Sequence, residues 1–143
     1  MIDKSPPVRV LILCTHNSAR SQMAEALLRQ IGGARFEVAS AGTEATRVHP
    51  LAVQAMANVG IDISKARSKH LDEFINDNFD YVITVCDAAN ESCPYFPGAP
   101  TRIHWSFKDP SLAEGTDEER LRAFSRVRDE IAMRLRTWVQ VFE

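Results

Sequence analysis

Residues Val8 to Leu13, Val-Arg-Val-Leu-Ile-Leu, form a nearly continuous apolar, β-branched run that stops at Cys14. A run of this kind suits a strand covered on both faces inside a parallel sheet, because such strands lack the polar alternation of a half-exposed one. After it, Met23, Leu27 and Ile31 recur every four residues and Gly32-Gly33 follows, the pattern of an amphipathic helix with a glycine stop. Strand, short loop and helix in this order predict a βα unit. The cysteine falls at the carboxyl end of its strand.

The rest of the chain repeats the alternation. Phe36 to Ala39 reads as a second strand ending at Ser40-Ala41-Gly42, and Pro50 opens a second helix through about Val59, stopped by Gly60. Tyr81 to Val85 predicts a third strand, again ending on a cysteine, Cys86, and Thr101 to Trp105 a fourth. Thr116 to Glu119 forms a capping box ahead of a long helix whose stripe is Leu121, Phe124, Val127, Ile131, Leu135 and Trp138. The many arginines of that helix, from Arg120 to Arg136, read as its solvated face. Four strands interleaved with helices predict an α/β fold: one domain over residues 1–143, with a four-stranded parallel sheet flanked by helices, flavodoxin-like.

The 143 residues, 45% hydrophobic and 25% charged, are the size and balance of one globular domain, and no repeat or linker divides them. A net charge of −2 gives no general reason to bind nucleic acid or an anionic membrane, so an anionic ligand would have to be held locally. The first residues, Met1 to Pro7, lack the basic and then apolar pattern of a signal peptide, and no run approaches the ~18 apolar residues of a membrane span. The expectation is a cytoplasmic, monomeric protein. Its three cysteines, Cys14, Cys86 and Cys93, are then better read as reactive thiols than as a structural framework.

Ligands of open parallel sheets bind outside the carboxyl ends of the strands. That rule selects the loops from Cys14 and Cys86 and the loop holding Asp109. Cys14, Thr15, His16, Asn17, Ser18, Ala19, Arg20 and Ser21 join strand to helix. Successive backbone N–H groups and the helix N-terminus favour a tetrahedral oxyanion there, and the Arg20 fork suits two of its oxygens. The same field should hold the Cys14 thiol below the ordinary thiol range. The Ser18 and Ser21 hydroxyls can reach sulfur or ligand; His16 reads as an exposed residue or a lining of the entrance. Asp109 precedes Pro110, which favours an extended geometry able to aim its carboxyl. Cys86 and Cys93 lack the paired spacing of a structural zinc site, and His49, His70 and His104 show no metal-ligand spacing, so no metal is expected.

Cys14 to Glu25 resembles the phosphate-binding loop shared by low-molecular-weight protein tyrosine phosphatases and the thioredoxin-coupled arsenate reductases. Ser40 to Thr43, Gly60 to Ser64, the Cys86 segment, Asp109-Pro110 and Phe124 to Ile131 extend the resemblance over nearly the whole chain. It implies Cys14 as nucleophile, Thr15 to Ser21 as the substrate loop, and Asp109 as the acid that protonates the leaving oxygen. A phosphatase has no use for two further thiols, whereas two thiols becoming one disulfide give up two electrons. The resemblance to the reductases places Cys86 and Cys93 on the second and third redox cysteines of an arsenate-reducing relay without a cofactor. It implies arsenate as substrate, phosphate or sulfate as mimics, and thioredoxin as partner. A phosphatase on the same scaffold and a non-catalytic oxyanion or thiol sensor remain the competing readings. Relatives that bind potassium use positions matching Asn17, Glu25 and Ser40 plus a carboxylate where this chain has Lys69. An ammonium there can replace the cation, so no potassium requirement is expected.

Overall fold

The computed structural model describes residues 6–98 and 101–143, so most of the N-terminal segment read for a leader lies outside it. Strands β1 (Val8–Cys14), β2 (Phe36–Gly42), β3 (Tyr81–Thr84) and β4 (Thr101–His104) form one sheet in the order β2-β1-β3-β4. Every neighbouring pair is parallel. Helices α1 (Arg20–Gly32), α2 (Pro50–Ala57) and α3 (Asp117–Val139) are the α-helices of the described residues. The order reverses between β1 and β3, and a crevice opens at the carboxyl ends of strands at such a reversal.

Alternation along β1 divides the core. Val10, Ile12 and Cys14 share one apolar cluster with α1, α2 and α3, through Met23, Leu28, Met56, Phe124 and Ile131. Leu11 and Leu13 face the other way and meet Leu71, Phe79, Val82 and Phe96. The opposite face is therefore covered by a 3₁₀ turn at Leu71–Phe74 and by loops. α3 carries the expected capping box, with Thr116 Oγ1 accepting from the Glu119 N–H at 3.1 Å.

The structure differs from the sequence reading at element ends and at one arginine. β2 runs on to Gly42, because Gly42 pairs with Cys14 and the strand is needed along the full length of β1. β3 and β4 each stop one residue earlier than expected, and α2 ends at Ala57, two residues short of Val59. Arg128 is not on a solvated face: it is buried, and its Nη1 donates to the Ala55 carbonyl at 2.7 Å, tying α3 to α2.

Candidate active site

The loop after β1 is built by tying its carbonyls outward. Glu44 N–H donates to the Thr15 carbonyl at 3.0 Å, Ser68 Oγ to His16 at 2.9 Å, and His49 N–H to Ser18 at 2.9 Å. The Asn17 carbonyl accepts from Gln22 Nε2. In a planar peptide the N–H points opposite to the C=O, so the N–H groups of residues 16 to 19 turn inward. α1 adds its own uncapped end: its N-cap, Ala19, supplies no side-chain acceptor. The first-turn N–H groups are left for a ligand, at the positive end of the helix dipole.

Asn17 holds this shape from behind. It sits in the left-handed region at φ 50°, which asparagine tolerates better than most residues with a Cβ. Its Nδ2 donates to Ser21 Oγ at 2.8 Å and Ser40 Oγ at 2.9 Å, while its Oδ1 accepts from Gln22 Nε2 at 2.9 Å and Lys69 N–H at 2.8 Å. Ser40 Oγ donates to Glu25 Oε1 at 2.6 Å, and Lys69 Nζ lies 3.4 Å from the same oxygen and donates to the Arg67 carbonyl at 3.0 Å. Of Asn17, Glu25 and Ser40, the Lys69 ammonium reaches Glu25. Among the described residues no buried side-chain polar atom lacks a partner. Gly42 is required by close approach: a Cβ there would lie 2.5 Å from the Thr15 carbonyl oxygen and 2.7 Å from that of Cys14.

Cys14, His16, Ser18, Ala19, Arg20 and Asp109 line a cavity of about 200 Å³, together with Thr46, His49 and Ser111. Thr15, Asn17 and Ser21, also expected to touch substrate, do not line it; Asn17 and Ser21 are fully buried behind the wall. His16 is both exposed and at the entrance, 2.9 Å from Glu44. Arg20 is 3% exposed; its Nη1 donates to the Phe107 carbonyl at 2.9 Å, and its Nη2 lies 3.7 Å from Asp109 Oδ2. Asp109 is itself aimed by the turn that follows Pro110, its Oδ1 accepting from Ser111 N–H at 2.9 Å and Ser111 Oγ at 2.7 Å.

Cys86 and Cys93 are joined by a disulfide, their Cα atoms 5.8 Å apart, and Cys14 is the free cysteine. In this disulfide-closed state the expected acidic thiol is not what the site produces. Burial pushes the Cys14 thiol up and outweighs the opposing pull of Arg20, and the Glu91 carboxylate pushes it up further. The backbone N–H groups of His16 and Thr15 act in the expected direction but do not reverse the balance.

Glu91 escaped the sequence reading, and His104 entered it only as a histidine without metal-ligand spacing. Glu91, inside the disulfide loop, takes two hydrogen bonds from Arg20 Nη2, at 2.8 and 3.1 Å. His104 ends β4 beside β3, paired with Thr84, and one of its ring nitrogens lies within 4.8 Å of both disulfide sulfurs. A strand-end histidine next to a strand that leads into a cysteine was the available signal. His49, read only as lacking metal-ligand spacing, lines the cavity, its Nδ1 accepting from the Leu51 N–H. Burial, then Arg120 and Arg47, hold its pKa below the ordinary imidazole value.

Residues 9–143 match the low molecular weight phosphotyrosine protein phosphatase family. The chain belongs to this family. An arsenate reductase of Halalkalibacterium halodurans is 47% identical over 131 residues, covering 92% of this chain and 94% of the relative. An arsenate reductase solved in the phosphate-binding state superposes with a TM-score of 0.76 at 32% identity, covering 95% of this chain and 99% of its own. A thioredoxin-dependent arsenate reductase of Corynebacterium glutamicum gives a TM-score of 0.70 at 33% identity, covering 99% of this chain and 66% of its own. Both the four-stranded parallel sheet and its helices are those of this family.

Proposed function

We propose that this protein reduces arsenate to arsenite through a relay of Cys14, Cys86 and Cys93, regenerated by thioredoxin. The observation that carries the reading is the Cys86–Cys93 disulfide in a loop that touches Arg20, because it puts an electron store against an oxyanion cradle. The arsenate reductase relatives and the thioredoxin-dependent one support the substrate and the reductant.

Arsenate binds in the loop from Thr15 to Ser21, held by inward N–H groups and by Arg20; phosphate or sulfate would occupy the same cradle. The Cys14 thiolate attacks arsenic, and Asp109 protonates the departing hydroxide, which leaves as water. A Cys86 thiolate then attacks the Cys14 sulfur. The electron pair of the S–As bond passes to arsenic, which leaves as arsenite, and a Cys14–Cys86 disulfide remains. A Cys93 thiolate attacks the Cys86 sulfur and releases the Cys14 thiolate, moving the disulfide outward. A thioredoxin dithiol restores both thiols with two electrons. The bound oxyanion, not the resting cavity, belongs to the working state of Cys14, whose thiolate faces the same N–H groups and Arg20. The unit that does this is the whole chain, a cytoplasmic monomer in this reading, and among the described residues no helix is long and apolar enough to cross a membrane.

The test is arsenate-dependent NADPH consumption with thioredoxin and thioredoxin reductase. Wild type is expected to consume one NADPH per arsenite, and Cys14→Ser, Cys86→Ser and Cys93→Ser each to lose sustained turnover. Full turnover by Cys93→Ser would remove the relay. Aryl phosphate hydrolysis without arsenate-dependent NADPH consumption would favour the phosphatase reading.

A further inference from the structure

Both terminal nitrogens of the Arg20 guanidinium have partners within the protein. Its Nη1 is taken by the Phe107 carbonyl, and its Nη2 by both oxygens of Glu91. The Thr15 hydroxyl, on the substrate loop, donates to Glu91 Oε1 at 3.4 Å. A side-chain carboxylate therefore occupies Nη2, one prong of the fork with which a guanidinium would hold two oxygens of an oxyanion. The carboxylate arrives from one particular place: Glu91 lies between Cys86 and Cys93, in the loop the disulfide closes. Its side chain is 19% exposed, so the pairing with the buried Arg20 is well shielded from solvent.

We infer that Glu91 is a built-in competitor of the oxyanion: with the Cys86–Cys93 disulfide closed it holds Arg20, and reduction of the disulfide releases Arg20 to the next substrate. The inference rests on the reading of residues 14–21 as the oxyanion site. Two anions on one guanidinium edge repel each other at short range, so a ligand entering the closed form must first displace the carboxylate. The consequence is order in the cycle. Arsenate is kept from Cys14 until the electrons needed to finish the reaction are back on Cys86 and Cys93. Linkage requires the converse as well: an oxyanion that binds the reduced form better must make the disulfide easier to reduce by the same factor.

The probe is inorganic phosphate, titrated calorimetrically into the full chain with the disulfide closed and after reduction with dithiothreitol. Wild type is expected to bind phosphate about 10- to 100-fold more tightly when reduced, the range of one charge-assisted interaction. Glu91→Gln, close to isosteric, should bring the two affinities together by strengthening binding to the closed form, and Glu91→Ala should do the same. The dithiol–disulfide equilibrium gives a second readout: phosphate should shift it toward the dithiol in wild type and leave it unmoved in Glu91→Gln. Equal phosphate affinities of the two wild-type redox forms, or a phosphate-driven redox shift as large in Glu91→Gln as in wild type, would overturn the role of Glu91 alone. Failure of both wild-type redox forms to bind phosphate would overturn it together with the oxyanion site.

Discussion

The segments 14–21 and 86–93 are each eight residues long, each begins on a cysteine at or just past the end of a central strand, and they meet at Arg20. They are held by opposite means. The first is over-determined: its carbonyls are bonded to three other segments, and Asn17 behind it reaches residues on α1, on β2 and before the Leu71–Phe74 turn. The second is mostly bonded to itself, with the Asp87 carboxylate accepting from Asn90 and Ala89 and its carbonyl from the N–H groups of Asn90 and Glu91. Its ties outward are few. A cradle that must match one tetrahedral anion gains from rigidity, whereas a thiol that must visit two different sulfurs needs a segment that moves as a unit at low cost. The contrast divides the labour of the site into a fixed half and a travelling half.

That division is sharpened first at the shared residue. Arg20→Lys keeps the charge but loses the fork, and should cost about 10²-fold in kcat/KM for arsenate, near 2–3 kcal/mol, with the thermal midpoint much less affected. Next comes the wall of the fixed half. Asn17→Ala strands the buried partners of one side chain and leaves at positive φ a residue that tolerates it less well than asparagine, an expected loss of about 2–4 kcal/mol in denaturant unfolding. Asn17→Gly accepts the φ and should recover about 1 kcal/mol of that loss; equal losses in the two variants would mean that the backbone there carries no strain. The smallest effect is electrostatic. Removing the Glu91 charge takes away one of the influences that raise the Cys14 thiol, so the pH profile of Cys14 alkylation in the disulfide form should move to lower pH in Glu91→Gln. A profile that stays in place would break the contact between the two halves.

What the sequence revealed follows the same line. Apolar runs, the capping box and the glycine stops are local signals, and they located the four strands and three α-helices of the described residues. The topological rule then selected the loops holding Cys14, Cys86 and Asp109, of which Cys14 and Asp109 line one cavity. Residues whose importance depends on distant chain were invisible: Glu91 matters only because its loop lies on Arg20, Arg128 only because α2 presents a carbonyl, and His104 only because β4 lies beside β3. Asn17 was read as a ligand contact because loop membership is local, while its turn behind the wall is set by Ser40 and Lys69. The Cys14 thiol went the other way from expectation for a similar reason: dipoles are legible from a strand-loop-helix pattern, but burial and a carboxylate seventy-odd residues away are not.

The central claim is that oxidising equivalents taken up at Cys14 end on the Cys86–Cys93 pair. Fully reduced protein given one equivalent of arsenate, with no external reductant, should be quenched by alkylation and its cysteine peptides mapped by mass. The account predicts one arsenite released per chain, a Cys86–Cys93 bridge, and Cys14 alkylated. Arsenite released while Cys86 and Cys93 are both recovered as alkylated thiols would contradict it.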